Sequence, residues 1–531
     1  MKAFLCILTF FLSIPYTYSK VISQIVVSPQ KILRPISRYV YGLNTQNSVS
    51  TNATIRRLGT YRMSTYNWVI NASNAGPIDN NSNNNHPCQA MGCLHCNQPG
   101  GEIIHFVKEN KKKHMASLIT LPLLRYVAGD INGPVPRWKA APSSRFKQSD
   151  YFMRHPHYTL HPSPANYVVY QDEFVHYLVH YFKKANQGGI GFYALDDDPS
   201  YWPIHDPLVH PEPTQYWELS NISYGLAYNI LKIDPTAKIV GPDLHGWNAF
   251  ISLNHAPGYR QLNQTYKTFL DFYLRRMHNL SELDHVRYLS VLSLHWFSKV
   301  RVHGKRITGN CITPLCMKAR MEAPRSLWDP TYIENSSITR KIHKPIDLIA
   351  WVDKKIQADD PGTKLAFTEY NYGADNNISG GIAEADVLGA FGKQGVYMAN
   401  FQGPLDSYIQ AAFQIFRNYN GHNAHFGNTA VKTSDVDPNR FSLYAATNTQ
   451  KPTLLWILIL NKQLTHRFQI PIHISSQSVY KTFQAYQFNA LSSKIHPIIP
   501  HGVILKNTIK TNFEPLSVTL LVCHCDNQIN H

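Results

Sequence analysis

Five short apolar runs, at residues 117–120, 191–195, 238–241, 291–295 and 364–368, recur through the first 400 residues with helix-patterned segments between them. Each run is brief and unbroken by charge along its middle, which predicts a strand buried on both faces. Between the runs, Phe174, Leu178, Val179 and Phe182 fall on one helical face, as do Phe269, Phe272, Tyr273 and Met277. Strands alternating with helices imply a parallel sheet with its helices outside, and a closed barrel of such units gathers functional groups at the strand C-terminal ends. Two of the runs lead straight into acids: Leu195-Asp196-Asp197-Asp198-Pro199 and Phe367-Thr368-Glu369-Tyr370. Carboxylates from different strands are thereby expected to face one another across a single cleft.

Near His422 the pattern changes to short strands separated by polar turns, at residues 441–446, 453–460, 468–474, 480–486 and 516–523. These predict an all-β sandwich, joined by the lone β-branched run at residues 21–27. Ahead of that run, Lys2 and the apolar stretch from Ala3 to Ile14 read as an export signal, cleaved near Lys20 and too short to span a bilayer. The expected division is therefore 1–19 signal peptide, 20–38 sandwich strand, 39–421 barrel and 422–531 sandwich. A secreted or periplasmic monomer without a transmembrane segment follows from this reading. The asparagine-rich stretch 71–85 is expected to be a solvated surface excursion, and its Asn71-Ala72-Ser73 an acceptor for glycan in a suitable source.

Lys and Arg total 51 against 34 acids, a net charge of +17. The basic residues are scattered, apart from Lys111-Lys112-Lys113, and no nucleic-acid-binding motif accompanies them, so an acidic polysaccharide or cell surface is the better partner. Of the eight cysteines, Cys6 falls in the leader. In an exported chain Cys88, Cys93, Cys96, Cys311 and Cys316 are read as local disulfides, with zinc at the Cys88–Cys96 cluster and its histidines as the alternative.

Paired carboxylates are what glycoside hydrolysis requires: one protonates the leaving oxygen, the other attacks or activates water. Tyr370 and Tyr372 flank Glu369, and a phenol beside a carboxylate can hold it ionised and aimed as a nucleophile. Each motif has a structural rival. Glu369 could sit on a surface loop, and the three aspartates could cap a turn before Pro199. His295 and Trp296, at a strand end, line either cleft or core, as do Tyr66, Asn67 and Trp68. Three histidines at 155, 157 and 161 lie in a proline-broken stretch that reads as a solvated loop.

Several stretches together resemble glycoside hydrolase family 44, endo-β-1,4-glucanases and xyloglucanases with a TIM-like barrel and a sandwich built from both termini. They include Arg57-Leu58-Gly59, Ser64 to Trp68, Asn74-Ala75-Gly76, Leu121-Pro122-Leu123, residues 195–202, Leu294-His295-Trp296, residues 323–332, Thr368 to Gly373 and Phe416-Arg417-Asn418-Tyr419. The resemblance implies a retaining enzyme that needs no cofactor, with a structural calcium to which no ligand residue is assigned. It places Glu369 at the nucleophile position. Where the family reads Leu-Asp-Asn-Glu-Pro, this chain has Asp197 for the sugar-binding asparagine and Asp198 for the acid/base glutamate. Aspartate is shorter by one carbon–carbon bond, about 1.5 Å, where a misplacement near 1 Å can cost on the order of a hundredfold in rate. Two adjacent carboxylates could raise one another's pKa and keep a proton for donation. Near Gln402 relatives are expected to carry a sugar-stacking tryptophan, for which Phe401 is the available substitute. The resemblance thus implies either a polysaccharide hydrolase with an attenuated acid or a descendant that only binds glycan.

Overall fold

The computed structural model describes residues 24–44, 51–498 and 502–525; the expected leader lies outside them. Eight parallel strands close into a barrel: Gly42–Asn44, Ile55–Leu58, Ala116–Leu121, Phe192–Leu195, Lys238–His245, Val291–Phe297, Lys364–Asn371 and Met398–Phe401. The four longest and Phe192–Leu195 were legible as apolar runs. The other three were not: they are equally short or shorter but interrupted by polar residues, Asn44, Arg56 with Arg57, and Asn400.

The two-residue period of a strand sets the barrel's interior in layers. Ile55, Leu118, Phe192, Ala194, Val240, Val291, Ala366 and Met398 pack together as one apolar plug. Two residues further along their strands come Arg57, Thr120, Ser293, Thr368 and Asn400, all buried and all polar. The floor of the site is built from this second layer.

Strict alternation is broken on two strands. Opposite Val291–Phe297, the register of Lys238–His245 gains one residue between Gly241 and Leu244, and that of Lys364–Asn371 gains one between Phe367 and Glu369. Such bulges re-aim side chains. Pro242 ends the apolar run in sequence, but a bulge tolerates proline, and the strand continues to His245.

The C-terminal strands form a ten-stranded sheet that includes Ile25–Pro35, antiparallel to Thr429–Thr433 and parallel to Ile472–Ile474. Its central strand, Leu454–Asn461, is buried on both faces. Leu455, Ile457 and Ile459 enter the sandwich's own core, whereas Trp456, Leu458 and Leu460 join the barrel's. The helix Ile378–Gln394 is the shared layer between the two domains. Gly389 lets Tyr444 approach, for a Cβ there would lie 2.4 Å from the ring. Within the same helix, Asp386 accepts hydrogen bonds from Tyr444 at 2.6 Å and from the buried Lys462 at 2.7 Å. No helix among the described residues is long and apolar enough to cross a membrane.

The asparagine-rich stretch is not a solvated excursion. Only residues 77–80 are exposed, and Asn71, Asn74, Asn83 and Asn84 are buried. Their amides satisfy loop backbone: Asn74 donates to Asn81 O at 2.7 Å and Asn83 to Arg145 O at 2.7 Å. Asn71 donates to Cys96 O at 3.0 Å, which leaves it inaccessible to a glycosylating enzyme.

Removing one partner of a buried ion pair strands the other charge, at a cost of about 3–5 kcal/mol. Asp386→Ala should therefore lower the unfolding free energy by about that much, whereas Asp386→Ala with Lys462→Met should recover most of it; chemical denaturation measures both.

Candidate active site

Glu369 reaches the barrel interior because of the bulge. Thr368 and Glu369 both point inward, Thr368 donating to Asp243 Oδ1 at 2.7 Å while Glu369 Oε1 accepts from Asn44 at 2.7 Å and Arg57 at 2.9 Å. Arg57 is fully buried and also binds Asp243 Oδ2 at 2.7 Å and Asp197. Its guanidinium lies over Gly59, where a Cβ would stand 2.1 Å from Cζ. Asp243 is fixed in turn by its own N–H, which donates to Ser293 Oγ at 3.0 Å.

The three consecutive aspartates divide their tasks. Asp196 is a structural anchor that accepts from Ser64 at 2.6 Å, Leu123 N at 2.5 Å, Asp197 N at 2.8 Å and Trp202 Nε1 at 3.0 Å. Asp196 and Asp198 adopt left-handed backbone, φ +66° and +46°, which aspartate tolerates better than most residues. The kinked chain sends Asp197 to Arg57 and Asp198 to the mouth. There Asp198 Oδ1 lies 2.7 Å from His295 Nδ1, and Oδ2 lies 3.1 Å from His245 Nδ1. The same His295 nitrogen is 3.7 Å from Glu369 Oε2. Asp198 and Glu369 thus flank one imidazole nitrogen.

Charge in this cluster is set by burial and by close partners. For Glu369, burial raises the pKa; His295 and Arg57 draw it down, Asp197 and Asp198 push it up, and it reaches about 7. Burial also opposes ionisation of Asp198, but the neighbouring His295 and His245 outweigh it and hold the carboxyl well below the usual range. Burial disfavours the His295 cation, yet Glu369 and Asp198 raise its pKa to about 10. Asp197 is raised, since burial exceeds the pull of Arg57. The proton of the Asp198 pair therefore rests on imidazole. This reverses the expectation that neighbouring carboxylates would leave it on aspartate, because imidazoles, not Asp197, are the groups nearest Asp198.

Other expectations need correction. The Tyr370 hydroxyl donates to Glu384 at 2.7 Å and not to Glu369, since the bulge turns it outward. Tyr372 and Trp296 are buried. Tyr66 donates to Asn71 at 2.9 Å, Asn67 to Ala128 O at 2.7 Å, and Trp68 stacks on Phe174 at 4.9 Å, so all three are core. Phe401 is buried edge-on against Tyr370 and is no stacking platform. His295 alone of the proposed strand-end aromatics enters the site. Asn44, Arg57, Asp243 and His245 were missed as site residues, although Arg57 lies in a stretch that resembles the family. His155, His157 and His161 are exposed.

Disulfides join Cys88 to Cys96 and Cys311 to Cys316. The first takes two sulfurs of the candidate zinc cluster; the remaining Cys93 thiol donates to Gly101 O at 3.4 Å. Among the described residues, the other His/Cys/Asp/Glu clusters are Asp198–His245–His295 and Asp197–Asp243–His295. Neither is the all-oxygen set that calcium takes. Beside the carboxylates, His245 opens on a cavity of about 240 Å³ shared with Tyr201, Trp247 and Lys299. A larger one, about 420 Å³, lies at the barrel–sandwich seam against Trp328 and Tyr444.

The profile of glycoside hydrolase family 44 matches residues 72–300. Endoglucanase A of Paenibacillus lautus is 36% identical over 509 residues, covering 94% of this chain and 72% of that protein. A xyloglucanase of Paenibacillus polymyxa from the family, solved with xyloglucan, superposes with a TM-score of 0.91 at 36% identity, covering 94% and 99% of the two chains. A family endoglucanase from Clostridium thermocellum gives 0.91 at 35% identity over the same shares. Identity of this order across nearly the whole sequence, on a closed barrel with paired acids at its mouth, means that the chain belongs to glycoside hydrolase family 44.

Proposed function

We propose that the protein is an exported endo-β-glucanase or xyloglucanase that cleaves β-linked polysaccharide with retention of configuration, Glu369 acting as nucleophile and Asp198 occupying the acid/base position. The observation that carries this reading is the shared nitrogen of His295, 2.7 Å from one carboxylate and 3.7 Å from the other. The two oxygens can be no farther apart than the sum of those distances. That bound accommodates the roughly 5–5.5 Å of a retaining pair. Asn44 and Arg57 hold one oxygen of Glu369, while Oε2 remains for attack. Arg57 also stabilises the carboxylate when the glycosyl bond forms and breaks. Proton delivery falls to the Asp198–imidazole unit acting as one acid, in place of a lone carboxylic acid. The aromatic wall of Tyr201 and Trp247 supports a sugar at the mouth.

An aryl β-glycoside with an activated leaving group departs without protonation. It should give a burst and a glycosyl adduct on Glu369, detected by mass spectrometry of the peptic peptide; with no adduct, the nucleophile assignment is lost. Glu369→Gln should reduce turnover by roughly a thousandfold or more.

On natural β-glucan, Asp198→Glu should raise kcat by up to about a hundredfold, because the carboxyl regains the missing bond length. Arg57→Met should abolish hydrolysis and lower stability by about 3–5 kcal/mol, since it leaves three buried carboxylates uncompensated; denaturation and reducing-sugar assays measure the two effects separately.

A further inference from the structure

We propose that Asp198, His245 and His295 together bind one divalent transition ion, zinc foremost, at the mouth of the barrel. The donor set is two imidazoles and a carboxylate, each from the end of a different strand. That composition suits zinc with a fourth position open to solvent or ligand. The donor atoms lie within 4.8 Å of one another. A tetrahedral ion with bonds near 2.0–2.2 Å separates its ligands by roughly 3.3–3.6 Å, so small side-chain rotations admit it.

The unused hydrogen-bonding capacity of the site points the same way. His295 is wholly buried, yet neither of its ring nitrogens makes an aligned hydrogen bond, and Asp198 Oδ1 has none either. These two atoms are 2.7 Å apart. His245 is held beside them, its ring stacked on Phe297 at 5.3 Å and set edge-on to Tyr201 at 5.3 Å. The surrounding field also favours a dication. Four carboxylates, Asp197, Asp198, Asp243 and Glu369, converge here against the guanidinium of Arg57 and the imidazolium of His295, whose proton an incoming dication displaces to solvent. Asp197 and Asp243 are already engaged by Arg57, and Asp198 is the carboxylate grouped with both imidazoles.

Binding is independent of the hydrolase reading; only its consequence rests on it. An ion on Asp198 occupies the group that the reading assigns to proton transfer, so loading should inhibit hydrolysis and chelation should restore it.

The test uses the full chain, stripped with a chelator and desalted. Zinc titration by calorimetry should show one ion per chain, and cobalt in its place should give the visible absorption of a tetrahedral site. His245→Phe and Asp198→Asn should each weaken binding by a hundredfold or more, while Cys93→Ser leaves it unchanged; thermal unfolding confirms that each variant is folded. No stoichiometric binding, binding that survives both substitutions at the mouth, or binding lost with Cys93 would each overturn the proposal. Metal binding without any effect on hydrolysis would leave the site standing and count against Asp198 as the proton-transfer residue.

Discussion

One guanidinium makes the mouth of this barrel possible. Arg57 sits two residues beyond the apolar plug on the second barrel strand and touches Asp197, Asp243 and Glu369 at once. Removing carboxylates from water is costly unless each finds a charge or a donor. Arg57 meets that requirement for three of them, and its planar fork suits the task better than a lysine would. Gly59 keeps the space it needs. Every other group in the site takes its place relative to this cation: Asn44 completes Glu369, Thr368 and Ser293 complete Asp243, and the remaining acid, Asp198, is left to the imidazoles.

The barrel itself was legible because long buried strands alternate with amphipathic helices, and the acids at residues 196–198 and 369 stood out because they follow such strands. What sequence could not reveal was parity. A one-residue bulge between Phe367 and Glu369 turns Thr368 and Glu369 to the same side and sends Tyr370 outward to Glu384. Simple alternation would instead point Tyr370 inward with Thr368 and turn Glu369 away from the cleft. The same device beside Pro242 carries a strand past the point where its apolar run stops, and so hides Asp243 and His245. Bulges leave no signature in composition, and both occur on strands that deliver site residues.

Burial of polar residues was the second blind spot. Asparagine-rich sequence reads as solvated because the residue is usually exposed. Here the side-chain amides replace secondary structure as partners for loop backbone, and burial follows once those bonds are made. Tyr66, Asn67 and Trp68 lie in the same layer and belong to the wall that carries Ser64, the donor to Asp196.

The glutamate-to-aspartate exchange that the family resemblance implies at residue 198 has a meaning beyond reach. A longer carboxyl arm would extend into the cleft toward the sugar; the shorter one is met by His295 and His245 and held ionised between them. The proton then belongs to a carboxylate–imidazole unit whose acidity is governed by Glu369, Asp243 and Asp198 around His295. In the proposed mechanism, proton delivery is thereby tied to the charge on Glu369. On the proposed assignment, Glu369 would give up its charge in forming a glycosyl bond, the anion supporting the His295 cation would be lost, and the imidazolium would become a stronger acid at the moment the leaving oxygen requires its proton.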